Sequence, residues 1–205
     1  LYWGVLLSLY LALVSILLGM VIGLLGALIY TDGPRWARRS IAAYVEFIRN
    51  VPLLLLTYLV FYGVPSLGGA RVDPISSFVA TLAIYSGAYL VEVFRSGLDA
   101  VPKGIIDAGK AIGLSPWQRL IWVRFPTMFR IVLPSLSNTY ISLFKDTSLA
   151  SVIAVPELTH AANFITATTY RIVETYTVVA PMYLGTGWVI SLLLQRFERR
   201  FVISR

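Results

Sequence analysis

Eight polar or charged side chains fall within or at the ends of long apolar runs: Glu92, Asn138, Ser142, Lys145, Asp146, Thr147, Ser148 and Glu157. Such groups are costly to hold in lipid and ordinarily face a cavity or a pathway. They are the candidate lining, or gate, of a solute pathway. The same residues have plainer uses. Lys145 and Asp146 would pair with each other or across a dimer, and Thr147 and Ser148 would ease a helix break. Glu92 has Arg95 one helical turn away, so an i,i+3 pair is available, and Gly87 nearby would serve packing. Catalysis is poorly served. With His160 as the single histidine and no cysteine, there is no thiol chemistry and no expected structural zinc or haem site. A lone histidine is ordinarily a surface or packing residue. No G-x-x-x-x-G-K-[ST] run or other phosphate-cradling loop occurs.

A second polar set is contiguous. Asp107 to Pro126, DAGKAIGLSPWQRLIWVRFP, carries Asp107, Lys110, Arg119 and Arg124 between apolar stretches. Ala108, Ala111 and Ile112, then Leu120, Ile121 and Val123, recur at helical spacing on either side of Gly113-Leu114-Ser115-Pro116. The spacing predicts two short amphipathic helices. Gly113 closes the first, Ser115 caps the second, and Pro116 takes its first position. Leu114, Trp117, Leu120 and Trp122 give it an apolar stripe. It reads as a docking element between spans, with an unpartnered interfacial helix as the alternative.

The elements that must position these residues are membrane spans. Of 205 residues 58% are hydrophobic and 13% charged, about half the charged share of a soluble domain; mean hydropathy is +0.77. No charge precedes Asp32, and Leu1 to Thr31 exceeds the ~20 residues that cross a bilayer. A signal peptide would show basic residues before a shorter apolar run. The chain begins without methionine, as a trimmed chain would. Gly19 and Gly23 are spaced for close helix packing. The prediction is an all-α membrane protein of about five transmembrane helices, at about 3–30, 41–65, 74–97, 129–156 and 175–197, with the loop at about 98–127. Ser40 to Asn50 is the helical lead-in to the second span. The whole chain, 1–205, forms one domain.

With alternating loops, thirteen Lys and Arg residues fall on the side of the Asp107 loop and only Arg71 and Arg171 on the other, with Arg49 and Lys145 within or near spans. That asymmetry places the loop in the cytoplasm, the N-terminus out and the C-terminus in. It accounts for the net charge of +7 without nucleic acid. Arg196 to Arg205 reads as a membrane-interface anchor.

The loop resembles the Glu-Ala-Ala loop of the inner-membrane permease subunits of type-I ABC importers. Asp107, Ala108 and Gly109 fill the opening slots, Gly113 the central glycine, and Val123, Phe125 and Pro126 the close. The sequence departs at Gly109, where the pattern has Ala, and at Phe125, where it has Leu. Further stretches are similar to the polar amino-acid uptake subfamily. They are Gly4 to Leu9, YVEFIRNVPLL from Tyr44, Ala88-Tyr89 with Glu92 and Arg95, Pro134 and Asn138 followed by Lys145 to Leu149, Val155 to Leu158, and Glu198-Arg199. Gly104-Ile105 and Pro126-Thr127-Met128 depart from it.

The resemblance implies a multi-pass subunit in a prokaryotic cell (inner) membrane that moves polar amino acids by alternating access. It implies two ATP-binding subunits, which hold the ATP and Mg, so that this chain is no enzyme and binds no cofactor itself. It implies a second permease subunit, identical or homologous, and an extracytoplasmic solute-binding protein that delivers to outer loops near 63–73 and 157–174. Asp107, Ala108, Gly109, Ala111, Gly113, Leu114, Ser115, Trp117 and Pro126 would couple to the ATPase. An amino acid needs an acceptor and a donor close together: Glu157 or Glu92 suits a cationic group, and Asn138, Ser142, Thr147 or Ser148 the zwitterion. A type-I permease for another small solute is the near alternative. A secondary carrier or membrane enzyme is more distant, since no internal repeat or catalytic cluster is present.

Overall fold

The computed structural model describes residues 1–201, so Arg205 of the basic tail lies outside the described residues. No strand occurs among them. The order is α1 (Tyr2–Asp32), α2 (Arg35–Asn50), α3 (Leu53–Tyr58), a π turn (Leu59–Gly63), α4 (Val64–Ser66), α5 (Pro74–Asp99), α6 (Lys103–Ala111), α7 (Pro116–Arg119), a second π turn (Leu120–Arg124), α8 (Phe125–Asp146), a 3₁₀ helix (Thr147–Ile153), α9 (Leu158–Thr169) and α10 (Ile172–Phe201).

Three helices, α1, α5 and α10, are long and apolar enough to cross a membrane, and the pair α2 with α3–α4 makes four if it is taken as one bent span. The expected span over 41–65 is sharply bent between its lead-in and the rest: the two parts meet at 106°. Pro52 is the cause. It lacks an N–H and drives the residue before it out of the helical region, and Val51 sits at φ −98°, ψ 128°. The expected fourth span also stops early. Helix α8 ends at Asp146, and a 3₁₀ helix carries the chain to Ala154, which is left-handed at φ 60°.

Helices α1 and α5 form the centre. A Cβ at Gly23 would lie 2.5 Å from the Leu90 Cβ and 2.9 Å from the Leu90 carbonyl carbon, and one at Gly19 would meet the Ser86 hydroxyl. The small residues let the two backbones touch, as the spacing predicted. Ser15 Oγ donates to the Val79 carbonyl across the same seam at 3.4 Å. Leu11, Phe78, Leu82, Leu90 and Phe94 are buried around it, and Met128, Val132 and Leu143 of α8 close the core. Helix α5 starts on Asp73, whose carboxylate accepts from the Ser76 amide at 3.0 Å, with Pro74 next; this contact holds the Asp73 carboxyl below the ordinary range.

Two π turns share one arrangement. Leu59–Gly63 ends two residues before Pro65, and Leu120–Arg124 ends two residues before Pro126. A proline inside a helix lacks its N–H and crowds the carbonyl four residues back. A π turn widens the helix there and relieves both faults. The backbone therefore stays helical from Pro116 to Asp146, and α7, the turn and α8, which carries Pro134 inside it, run on without a break.

Candidate functional site

The polar residues of α8 and α5 meet in a cavity of about 260 Å³ lined by Tyr85, Ser86, Tyr89, Asn138, Thr139, Ser142, Leu143 and Asp146. On α8 the spacing of Asn138, Ser142 and Asp146 puts them on one helix face. On α5 Tyr85 and Tyr89 are one turn apart, with hydroxyls 3.1 Å apart and ring centroids 4.9 Å apart. The Arg49 guanidinium lies over the Tyr89 ring, 5.2 Å from its centroid. The site thus offers one carboxylate, an amide, five hydroxyls on Tyr85, Ser86, Tyr89, Thr139 and Ser142, and an adjacent cation. It holds groups that bind and orient a small polar molecule, with nothing arranged as nucleophile and base.

Three of the eight predicted pathway residues line this cavity: Asn138, Ser142 and Asp146. The others lie elsewhere. Glu92 is bound to Arg95 at 2.8 Å, and Arg95 also reaches Asp99 at 3.7 Å and the Tyr30 ring. Lys145 is exposed and makes no ion pair with Asp146 among the described residues. Thr147 is fully buried and donates to the Phe144 carbonyl at 2.7 Å, and Ser148 accepts on its carbonyl from Ser151. These two sit where α8 gives way to the 3₁₀ helix, the plainer of their expected uses.

Glu157 is fully buried away from the cavity. Its carboxylate caps α9, accepting from the Thr159 and His160 amides at 2.8 and 2.7 Å. It also accepts from the Tyr183 hydroxyl at 2.9 Å and Ser8 at 3.4 Å. It therefore ties α1, α9 and α10 together. Tyr85, Tyr89 and Thr139 were not singled out from the sequence; the signal available was a tyrosine pair at i,i+4 opposite a polar helix face.

The loop has the local geometry its sequence dictates. Gly113 is left-handed at φ 82°. Its amide donates to the Lys110 carbonyl at 2.9 Å and that of Leu114 to the Gly109 carbonyl at 3.0 Å, the paired bonds of a Schellman close. Ser115 and Gln118 form a capping box: Ser115 N–H donates to Gln118 Oε1 at 2.8 Å, and the Gln118 amide to Ser115 Oγ at 3.3 Å. The Lys110 ammonium, 2.7 Å from Asp107, holds that carboxyl below the usual range. Ala108, Ala111 and Pro126 are exposed while Gly109 is buried. The expected apolar stripe is only partly covered: Leu114 and Leu120 are half-buried, whereas Ile112, Trp117 and Trp122 are 77%, 67% and 74% exposed.

A profile of the family described as "Binding-protein-dependent transport system inner membrane component" matches residues 6–203. The chain belongs to this family. The permease is 36% identical over 201 residues to the glutamine transport system permease protein GlnP of Escherichia coli (strain K12), covering 98% of this chain and 92% of that one. It is 38% identical to the probable glutamine ABC transporter permease protein GlnP of Bacillus subtilis (strain 168), covering 96% and 91%. Its fold matches the crystal structure of an amino acid ABC transporter with histidines at TM-score 0.89 and 31% identity, over 97% of this chain and 92% of that one. The permease is thus a multi-pass inner-membrane protein with the type-I ABC permease fold.

Proposed function

We propose that this permease is the transmembrane subunit of an ATP-driven importer of polar amino acids, glutamine among them. An extracytoplasmic binding protein delivers the solute to it. Of two ATP-binding subunits, which carry the ATP, the Mg and the hydrolysis, one docks on the Asp107–Pro126 loop and the other on the matching loop of the second permease. A second permease subunit completes the path, and the chain runs with its N-terminus out and the loop in the cytoplasm. The observation that carries this reading is the cavity of α5 and α8, whose Asn138, Ser142 and Asp146 stand on the helical stretch that begins in the exposed loop at Pro116. A binding site and a docking surface on one continuous helix suit alternating access, in which nucleotide biases a two-state equilibrium. The exposed Ile112, Trp117 and Trp122 suit an apolar groove on the ATPase.

Reconstitution with the ATPase and binding protein tests this. ATP-dependent uptake of L-glutamine into proteoliposomes is the expected result, lost in Gly113→Asp and Asp107→Lys. Uptake that persists without ATP, or failure to bind any ATPase, overturns the proposal in favour of a secondary carrier. Stimulation by a sugar or oxyanion alone replaces the substrate class and keeps the rest.

A further inference from the structure

Arg49 carries a charge that this chain leaves unanswered. It stands in the last turn of α2, where a cation is favoured by the helix dipole, just before the 106° break at Val51–Pro52. Its neighbours fix its depth. The Tyr44 hydroxyl donates to the Ile84 carbonyl at 2.6 Å, in the middle of α5, and Arg49 itself lies over Tyr89, a little past that middle. Among the described residues no carboxylate pairs with it. Glu46, one turn back on the same helix, accepts from the Asn50 amide nitrogen at 3.0 Å instead, and Glu92 is held by Arg95. Arg49 is exposed on this chain, and a cation level with the middle of a membrane helix is costly where lipid or a partner subunit covers it without answering the charge. Arg49 reaches the cavity only through Tyr89, whereas Asp146 lines it directly: half-buried, its carboxylate in no ion pair or hydrogen bond among the described residues.

We propose that Arg49 and Asp146 are the two ends of one zwitterion site: the Arg49 guanidinium takes the α-carboxylate of the substrate and Asp146 its α-ammonium. The assignment rests on the amino-acid reading above. A guanidinium fork matches a carboxylate in two parallel hydrogen bonds, which an ammonium cannot do. Stacking on Tyr89 orients that fork through a ring that lines the cavity and leaves the N–H edges free. The cavity, of about 260 Å³, gives room to the main-chain groups and a short polar side chain. Neutral Asn138, Ser142, Tyr85 and Thr139 then face that side chain. One site built this way accepts amino acids by their shared groups, and the residues between the charges set which of them it prefers.

The test uses the reconstituted complex with its ATPase and binding protein, with L-glutamine, L-arginine, L-glutamate and L-cystine as probes. Uptake and ATP hydrolysis are measured side by side. In Arg49→Gln, uptake of the best probe below saturation falls about thirtyfold or more, the usual loss when one partner of a desolvated charge pair is removed. Hydrolysis falls far less, so the ATP hydrolysed per molecule imported rises. Arg49→Lys keeps the charge without the fork and falls between Arg49→Gln and wild type. Asp146→Asn loses uptake to a similar degree, and the double variant is no worse than the worse single one. Uptake as in wild type in Arg49→Gln overturns the assignment, as does a parallel fall of uptake and hydrolysis. If Arg49→Gln does not assemble, Arg49→Lys and Asp146→Asn decide by the same ratio. Failure of the wild type to import any probe overturns the amino-acid reading itself.

Discussion

Helices α1 and α10 are nearly equal in length, both apolar, and both carry glycines on their membrane-length stretch, yet the fold uses them in opposite ways. In α1, Gly4, Gly19, Gly23 and Gly26 are buried. An added Cβ would strike Leu158 backbone at the first and Leu90 backbone at the third. In α10, Gly185 and Gly187 would meet nothing within 4 Å, and Leu184, Trp188 and Leu193 stand 77%, 65% and 60% exposed. The glycines of α1 exist for contact. Those of α10 permit a contact that this chain alone does not make. Apolar composition alone therefore does not tell a central helix from a peripheral one, because in lipid the interface is marked by small residues and not by greasy ones.

The widest separation between the two helices should come from Gly23→Leu. Its obstacle is Leu90 backbone, which cannot swing aside, so the cost exceeds the ~1–3 kcal/mol of ordinary overpacking. The expected outcome is no monodisperse protein on size exclusion after detergent extraction; wild-type recovery would separate α1 from α5. Smaller effects are expected in the loop. Ser115→Ala removes half of the capping box and should cost about 1 kcal/mol of local stability, read as faster amide exchange at Trp117 and Gln118. Gly109→Ala should act in the other direction. A Cβ there finds only ordinary contact with Arg119 Cγ at 3.4 Å and Leu114 Cδ1 at 3.5 Å, so α6 gains up to about 1 kcal/mol of helix propensity, seen as slower exchange in 103–111. Least of all, Gly185→Ala and Gly187→Ala should leave the isolated chain's thermal midpoint unchanged or slightly raised. If either instead disrupts the assembled transporter while sparing the single chain, α10 faces a partner subunit.

Where structure is local, the sequence spells it out. Gly113, Ser115 and Pro116 fixed the close and the restart of the loop helices because a left-handed position, a cap and a first-turn proline each need one residue type. The Gly19 and Gly23 contact was legible for a similar reason, since four-residue spacing puts both on one helix face. Of the pathway residues, Asn138, Ser142 and Asp146 came together because they share a face of α8. Tyr85 and Tyr89 were hidden by their own chemistry, since a tyrosine ring passes for core and only its hydroxyl betrays a polar wall. Glu157 misled for the opposite reason. A carboxylate near a span end looks like a pathway residue, and its partners Ser8 and Tyr183 lie 149 and 26 residues away. The bend at Pro52 was not read from the sequence although the proline offered the signal, because its size depends on packing against α1 and α5.

The π turn before Pro126 does more than tolerate a proline. It keeps the backbone helical without interruption from Pro116 to Asp146, past Pro134 within α8 as well. At 1.5 Å per residue, Asn138 stands roughly 33 Å from the start of that stretch, so a tilt of about 10° at the loop would carry it roughly 6 Å. A displacement of that size is more than the width of a water molecule. Under the proposed function, a modest push at the loop would then suffice to open or shut the cavity of α5 and α8.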